Sequence, residues 1–124
     1  MADKKQTPSY YTPLPADLTP EEQTFIQYHR NNLDTGLYKN QPNGDITTVY
    51  GGVFGNPAEG PGKLIPTYWH GDIRPADQAM RFAVRSGIKF PEYSDVKTAL
   101  AREAYLHDIV EADTKAFQKL RRRK

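Results

Sequence analysis

Three histidines and the carboxylates near them are the residues of this chain whose types could do chemistry. His70 and Asp72 stand two positions apart in KLIPTYWHGD, next to Trp69, the single tryptophan. An imidazole and a carboxylate held in one pocket are the minimum for acid/base work, so a small hydrolase centred on His70 and Asp72 is one reading. A plainer one competes with it. Gly71 ends any strand, and "HGD" then serves as a corner. Tyr68 or Trp69 closes the core, and Asp72 helps satisfy the free amides of a helix opening at Pro75.

Metal binding fares less well. Glu103 and His107 have the four-residue spacing that puts two ligands on one helix face, but such pairs are common on helices, and the adjacent His107 and Asp108 diverge by about 100°. His29 falls on an apolar stripe and is expected to be a half-buried packing residue. The run GGVFGNPAEGPG has no following Lys-Ser/Thr, so no phosphate loop of the Walker type is present. We expect no catalytic residue, no metal and no cofactor.

The elements that hold these residues can be followed along the chain. Residues 1–18 carry Pro8, Pro13 and Pro15 among Tyr10, Tyr11 and Leu14. Proline removes backbone donors and extends its neighbours, so this is an arm. It is either a free tail or a strap that orders against a neighbouring subunit. Residues 19–36 form an amphipathic helix: Thr19 as N-cap, Pro20 at the first position, Glu22 completing a capping box, and Gly36 as the stop. Phe25, Ile26, His29 and Leu33 share one face.

From Asn43 the period becomes two. NGDITTVYGGVF predicts one strand, with Ile46, Thr48 and Tyr50 on one face and Thr47 and Val49 on the other. A loop at 55–62 and a second strand, KLIPTYW, complete an antiparallel hairpin. Pro66 there demands an edge or a bulge, since it cannot donate to a ladder.

Pro75 starts a short helix with Ala79, Met80, Ala83 and Val84 at helical spacing, stopped at Ser86 and Gly87. Ile88 and Phe90 are expected to anchor the connector in the core. Ser94 is expected to cap a last helix which, if continuous from about 94 to 120, would be roughly 40 Å long. It has two apolar faces, one with Val96, Ala99, Leu100, Leu106 and Val110, the other with Ala101, Tyr105, Ile109, Ala112 and Ala116. The first can pack on the hairpin and leave the second for another chain, unless its tyrosine and alanines simply sit at the surface.

The bulk numbers set bounds without choosing a function. The 124 residues are 37% hydrophobic, enough for one modest core. Ten prolines, nine glycines and a mean hydropathy of -0.77 leave much of the chain to turns and extended segments. Seventeen basic against fifteen acidic residues leave +2, too little for a nucleic-acid footprint. No cysteine is present, which excludes disulfides and thiolate chemistry. The N-terminal residues lack the apolar run of a signal peptide and no window approaches a membrane span, so a soluble protein made in a cytoplasm, with no membrane partner, is expected. The closing KLRRRK is the one concentrated charge run. It is a solvated helix end complementing the dipole, or a contact for phosphates or an acidic surface through Arg121, Arg122 and Arg123.

Taken in order, PNGDITTVYGG, GKLIPTYWHGDI, DQAMRFAVRSG and FPEYSDVKTALAREAYLHD resemble a small domain that recurs in tailed-bacteriophage virion proteins. The likeness spans roughly residues 40–108. It rests on Asn43 and Gly44 at the turn, Ile46 to Val49 and Leu64 to Thr67 as strands, Asp77 to Met80 in the short helix, Ser86 and Gly87 at its stop, and Tyr105 to His107 in the closing motif. Pro75 and Ala76 depart from the usual polar cap, Tyr68 and Trp69 are bulkier than the pattern, and ALAREAYLH matches its final helix only loosely.

The resemblance implies a structural role in internal, tail-associated or ejected virion proteins, beside enzymatic modules rather than as the catalyst. The expectation is therefore an α+β fold, a small β-hairpin packed on two or three helices, with an extended N-terminal arm (1–18), an amphipathic helix (19–36), a small domain (40–110) and a helix end with basic tail (111–124). It would be a non-enzymatic virion component binding larger ones in the neck, tail or capsid, in multiple copies within a symmetric assembly. Tyr10, Tyr11 and Leu14 would anchor the arm on a partner, Phe25 and Ile26 the first helix, and Tyr105 and Ile109 the outer face of the last. A nucleic-acid-binding accessory protein using the basic tail is the alternative.

Overall fold

A computed structural model describes residues 11, 13–40, 42, 46–49, 51–56 and 59–122. The chain runs α1 (Pro20–Thr35), β1 (Lys39–Asn40), β2 (Ile46–Thr47), β3 (Gly51–Asn56), β4 (Glu59–Pro66), β5 (Tyr68–Trp69), β6 (Asp72–Ile73), α2 (Ala76–Ser86), β7 (Glu92–Tyr93) and α3 (Val96–Arg122). It is an α+β fold of three helices around small antiparallel sheets, with the expected long last helix.

Helix α1 begins as its sequence dictates. Thr19 accepts from the Glu22 amide while Glu22 reaches back to the Thr19 amide, and Gly36 closes the helix in the left-handed conformation at φ 79°. Strands β3 and β4 form the central hairpin, with Gly51 opposite Pro66 and Phe54 opposite Lys63. Strand β7 adds to β4 at Gly62 and Lys63 only. Pro66 lies beyond that pairing, at the end of β4, where its missing donor breaks no ladder with β7. Helix α3 crosses this sheet at close range. A Cβ on Gly62 would stand 2.9 Å from both the Ala99 Cβ and the Val96 Cα, so glycine opposite alanine is what lets helix and strand approach. Leu18, Phe25, Ile26, Leu64, Ile65, Trp69, Ala83, Phe90 and Leu106 join in one core.

Several expectations require correction. The single strand from residue 43 is two: β2 pairs back to β1, and β3 starts at Gly51. The ladder stops between them because Val49 turns its carbonyl to the amides of Thr67 and Tyr68, at 3.1 and 3.3 Å. The turn residues Asn43 and Gly44, and Tyr50, lie outside the described residues. The hairpin strands reach into the expected 55–62 loop, to Asn56 and from Glu59. Asp95, not Ser94, caps α3: its carboxylate accepts from the Thr98 amide at 2.6 Å. Pro75 sits at the cap position of α2 rather than inside the helix. Phe90 is buried, whereas Ile88 is 37% exposed. Val84 and Leu100 also face out, at 70% and 54%, since each stands at the edge of its helix's apolar stripe.

Candidate functional site

The WHGD corner is a tight hairpin. Strands β5 and β6 pair Tyr68 with Ile73 and Trp69 with Asp72, and His70 and Gly71 turn the chain with φ of 53° and 86°. Both loop residues have positive φ, as a two-residue hairpin matched to strand twist requires. The strain falls on His70, the one non-glycine residue with positive φ among the described residues. Arg74 secures the corner from behind, donating to the carbonyls of Trp69 (3.0 Å) and His70 (3.3 Å). The Trp69 ring packs among Tyr28, Phe82 and Phe90, and its indole N–H donates to the Pro66 carbonyl at 2.7 Å.

The two candidate acid/base residues point to different partners. His70 packs edge-on against Phe82, with ring centroids 4.8 Å apart. Asp72 pairs with Lys39 at 3.2 Å and accepts from the Ile73 amide, and the Lys39 ammonium with that amide holds its carboxyl below the usual range. It therefore does not cap α2 as expected.

Two buried polar networks stand out among the described residues. In the first, Glu22, wholly buried, accepts from both Nε and Nη2 of Arg102 at 2.8 Å, from the Tyr93 hydroxyl at 2.6 Å and from the Thr19 amide at 3.0 Å. Burial would push its carboxyl up, but these donors and the guanidinium together outweigh it and hold the pKa at about 2. Arg102 also reaches Asp17 at 3.6 Å and lies over the Tyr105 ring, whose hydroxyl meets Asp17 at 3.1 Å.

In the second, His29 Nδ1 meets the Thr48 hydroxyl at 2.5 Å, and Nε2 lies 3.3 Å from Asp113 Oδ2 but off the line of a hydrogen bond. Arg30 takes both Asp113 oxygens, at 2.8 and 3.2 Å. Burial pushes the imidazole below its ordinary range against the pull of Asp113. Burial acts the other way on Asp113, but His29 and Arg30 prevail and keep it ionised. Hydroxyl, imidazole and carboxylate in this order are the parts of a nucleophile, its base and its orienting group. Here Thr48 is 2% exposed and the carboxylate is bound to a guanidinium. The arrangement ties α1, the 46–49 segment and α3 together.

His29 is thus fully buried and polar-bonded, not the half-buried packing residue its apolar stripe suggested. The expected partner contacts are largely used by this chain. Phe25 and Ile26 are sealed in the core at 2% and 0% exposure, a correction to their placement on a surface given to a neighbour. Tyr11 is buried, donates to Asp34 at 2.8 Å and lies beneath the Arg30 guanidinium. Leu14, Tyr105 and Ile109 pack half-buried against the core. Tyr10 and Arg123, and the side chains of Arg121 and Arg122, lie outside the described residues. Among the described residues no three histidine or acidic side chains gather as a metal set, and no helix is long and apolar enough to cross a membrane.

One open groove among the described residues is a cavity of about 420 Å³ between α2, β4 and the 88–92 connector. Ile65, Ala83 and Phe90, all core residues, form its floor. Val84 and Ile88 line it as well, with Glu21, Lys63, Lys89 and Glu92 adding charge. No motif in the sequence marked this groove, because it joins residues of four separate segments. No family model matches the chain, and no curated protein or solved structure is significantly similar to it.

Proposed function

We propose that this chain is a non-enzymatic structural component of tailed-phage particles, acting by binding larger components of the neck, tail or capsid. The observation that carries the reading is where polarity and apolarity lie. Its buried carboxylates, Glu22 and Asp113, and its buried imidazole are closed on partners within the chain, as internal staples, whereas apolar side chains stand out beside an open groove. Val84 and Ile88, at 70% and 37% exposure, are poorly placed for an isolated protein and well placed for an interface. The order of motifs along residues 40–108 supports a virion setting.

The test is a Val84→Asp, Ile88→Asp variant. Val84 is largely solvent-facing but Ile88 is only 37% exposed, so urea unfolding should show a cooperative transition at a moderately lowered midpoint, the variant remaining folded without denaturant. Mass spectrometry of purified particles should then show the variant missing at normal expression. Full incorporation would overturn the reading of this face, and absence of the unaltered protein from purified particles would overturn the virion role itself.

A further inference from the structure

The charge of this chain is unevenly divided. All fifteen acidic residues precede Lys115, so residues 1–114 hold eleven basic against fifteen acidic side chains, whereas residues 115–124 hold six basic and no acidic ones. The small net charge of +2 is thus the sum of a negative body and a strongly cationic stretch. The structure gives that stretch a backbone. Helix α3 continues through Arg122, rising about 11 Å from Lys115. It is held to the body as far as Phe117, by Asp113 on Arg30 and by the Phe117 ring edge-on to Tyr38, with centroids 5.5 Å apart. Lys119, beyond that joint, is exposed.

A solvated helix end does not call for this pattern. One or two cations complement a helix dipole, and the effect falls off within the last turn. Lys115 lies 3.9 Å from Glu111, one turn earlier. Lys119, by contrast, has Lys115 four residues before it and Arg122 three after. Like charges at these spacings destabilise a helix. A local rule broken in this way, without compensation from acidic neighbours, points to an external polyanion that offsets it.

The density of the charge selects the polyanion. A nucleic-acid duplex carries one phosphate per roughly 1.7 Å of axis, or about six beside the rise from Lys115 to Arg122, where four cations stand. Three of the six cations of residues 115–124 are arginines, whose planar fork matches phosphate oxygens. A lipid surface fits less well, because an interfacial helix needs an apolar face to bury and the Phe117 ring is already set against Tyr38. We propose that α3 from Lys115 onward, with Arg121, Arg122 and Arg123, contacts the backbone phosphates of double-stranded nucleic acid. The contact shares no residue with the α2 groove and stands whether or not the virion reading does.

The test is fluorescence anisotropy of a labelled DNA duplex of about 20 base pairs titrated with the full chain at about 50 mM salt. Binding should saturate below about 100 μM, and the affinity should fall with a log–log salt slope of about −4 to −5, as four to six phosphate contacts require. Arg121→Gln, Arg122→Gln, Arg123→Gln should bind at least tenfold more weakly and flatten the slope by about 2.7, with an unchanged urea midpoint. A charge-matched Arg81→Gln, Arg85→Gln, Lys89→Gln variant, altered at three exposed cations in and just after α2, should keep the slope. Absence of saturation, or an unchanged slope in the Arg121–Arg123 variant, would overturn the proposal. Equal losses in the two variants would overturn the placement on α3, leaving only an effect of net charge. Preference for phosphatidylserine vesicles or for polyglutamate over the duplex, at equal charge concentration, would overturn the choice of nucleic acid.

Discussion

Replacing Glu22 by glutamine should expose how much of this fold rests on one buried charge. Glutamine has the shape of glutamate and is accepted at the third position of a capping box, so the start of α1 should survive. What is lost is the anion facing Arg102 and Tyr93. The fall of the Glu22 pKa from its ordinary 4.5 to about 2 corresponds, at roughly 1.4 kcal/mol per pH unit, to about 3 kcal/mol of folding free energy. Arg102 is partly exposed, at 27%, so screening trims this toward about 2 kcal/mol. The sign is set by a folded pKa below the unfolded one. The stabilisation is fully present above about pH 4.5 and is lost as pH falls from there through 2.

Urea unfolding followed by circular dichroism should therefore place the variant about 2–3 kcal/mol below the unaltered protein at neutral pH. The gap should shrink by about 1.4 kcal/mol at pH 3.5, because below about pH 4.5 the unfolded chain takes up a proton at Glu22 that the folded chain, with its pKa at about 2, does not. His29 and Asp113 weaken both proteins in acid and cancel in the difference. A gap of constant size from neutral pH to 3.5 would refute the electrostatic account and leave only a packing defect. No gap at neutral pH would refute the role of the charge altogether.

Two other substitutions probe the remaining joints. Asp113→Asn should strip the counter-charge from Arg30, which is 7% exposed, and cost about 3–5 kcal/mol, read as a lowered urea midpoint; a loss below about 1 kcal/mol would mean that water, not Asp113, solvates the guanidinium. Gly62→Ala would force a methyl against the Ala99 Cβ and the Val96 backbone, and should lower stability by about 1–3 kcal/mol in thermal or urea unfolding, whereas Gly60→Ala, with nothing near its Cβ, should cost only the strain of its positive φ.

Local codes in this chain carried much of the fold. Thr19, Pro20, Glu22 and Gly36 bound α1 because each acts on backbone groups within a few residues, and Ser86 with Gly87 stops α2 for the same reason. The hairpin and the long last helix were legible from residue period, and the corner at His70 from its glycine. Misreadings arose where two local rules competed, as with Ser94 and Asp95, both able to cap. They also arose where a distant partner won, as when Thr67 and Tyr68 drew Val49 out of the ladder.

What no window of sequence could show is which charges meet. Asp113 lies 83 residues from Arg30, and Arg102 lies 80 from Glu22. Each alone reads as a solvated helix side chain, and pairing depends on the angle at which α3 crosses α1. The α2 groove is of the same kind. It is a space between elements, and a space has no residue to announce it until the elements around it are packed.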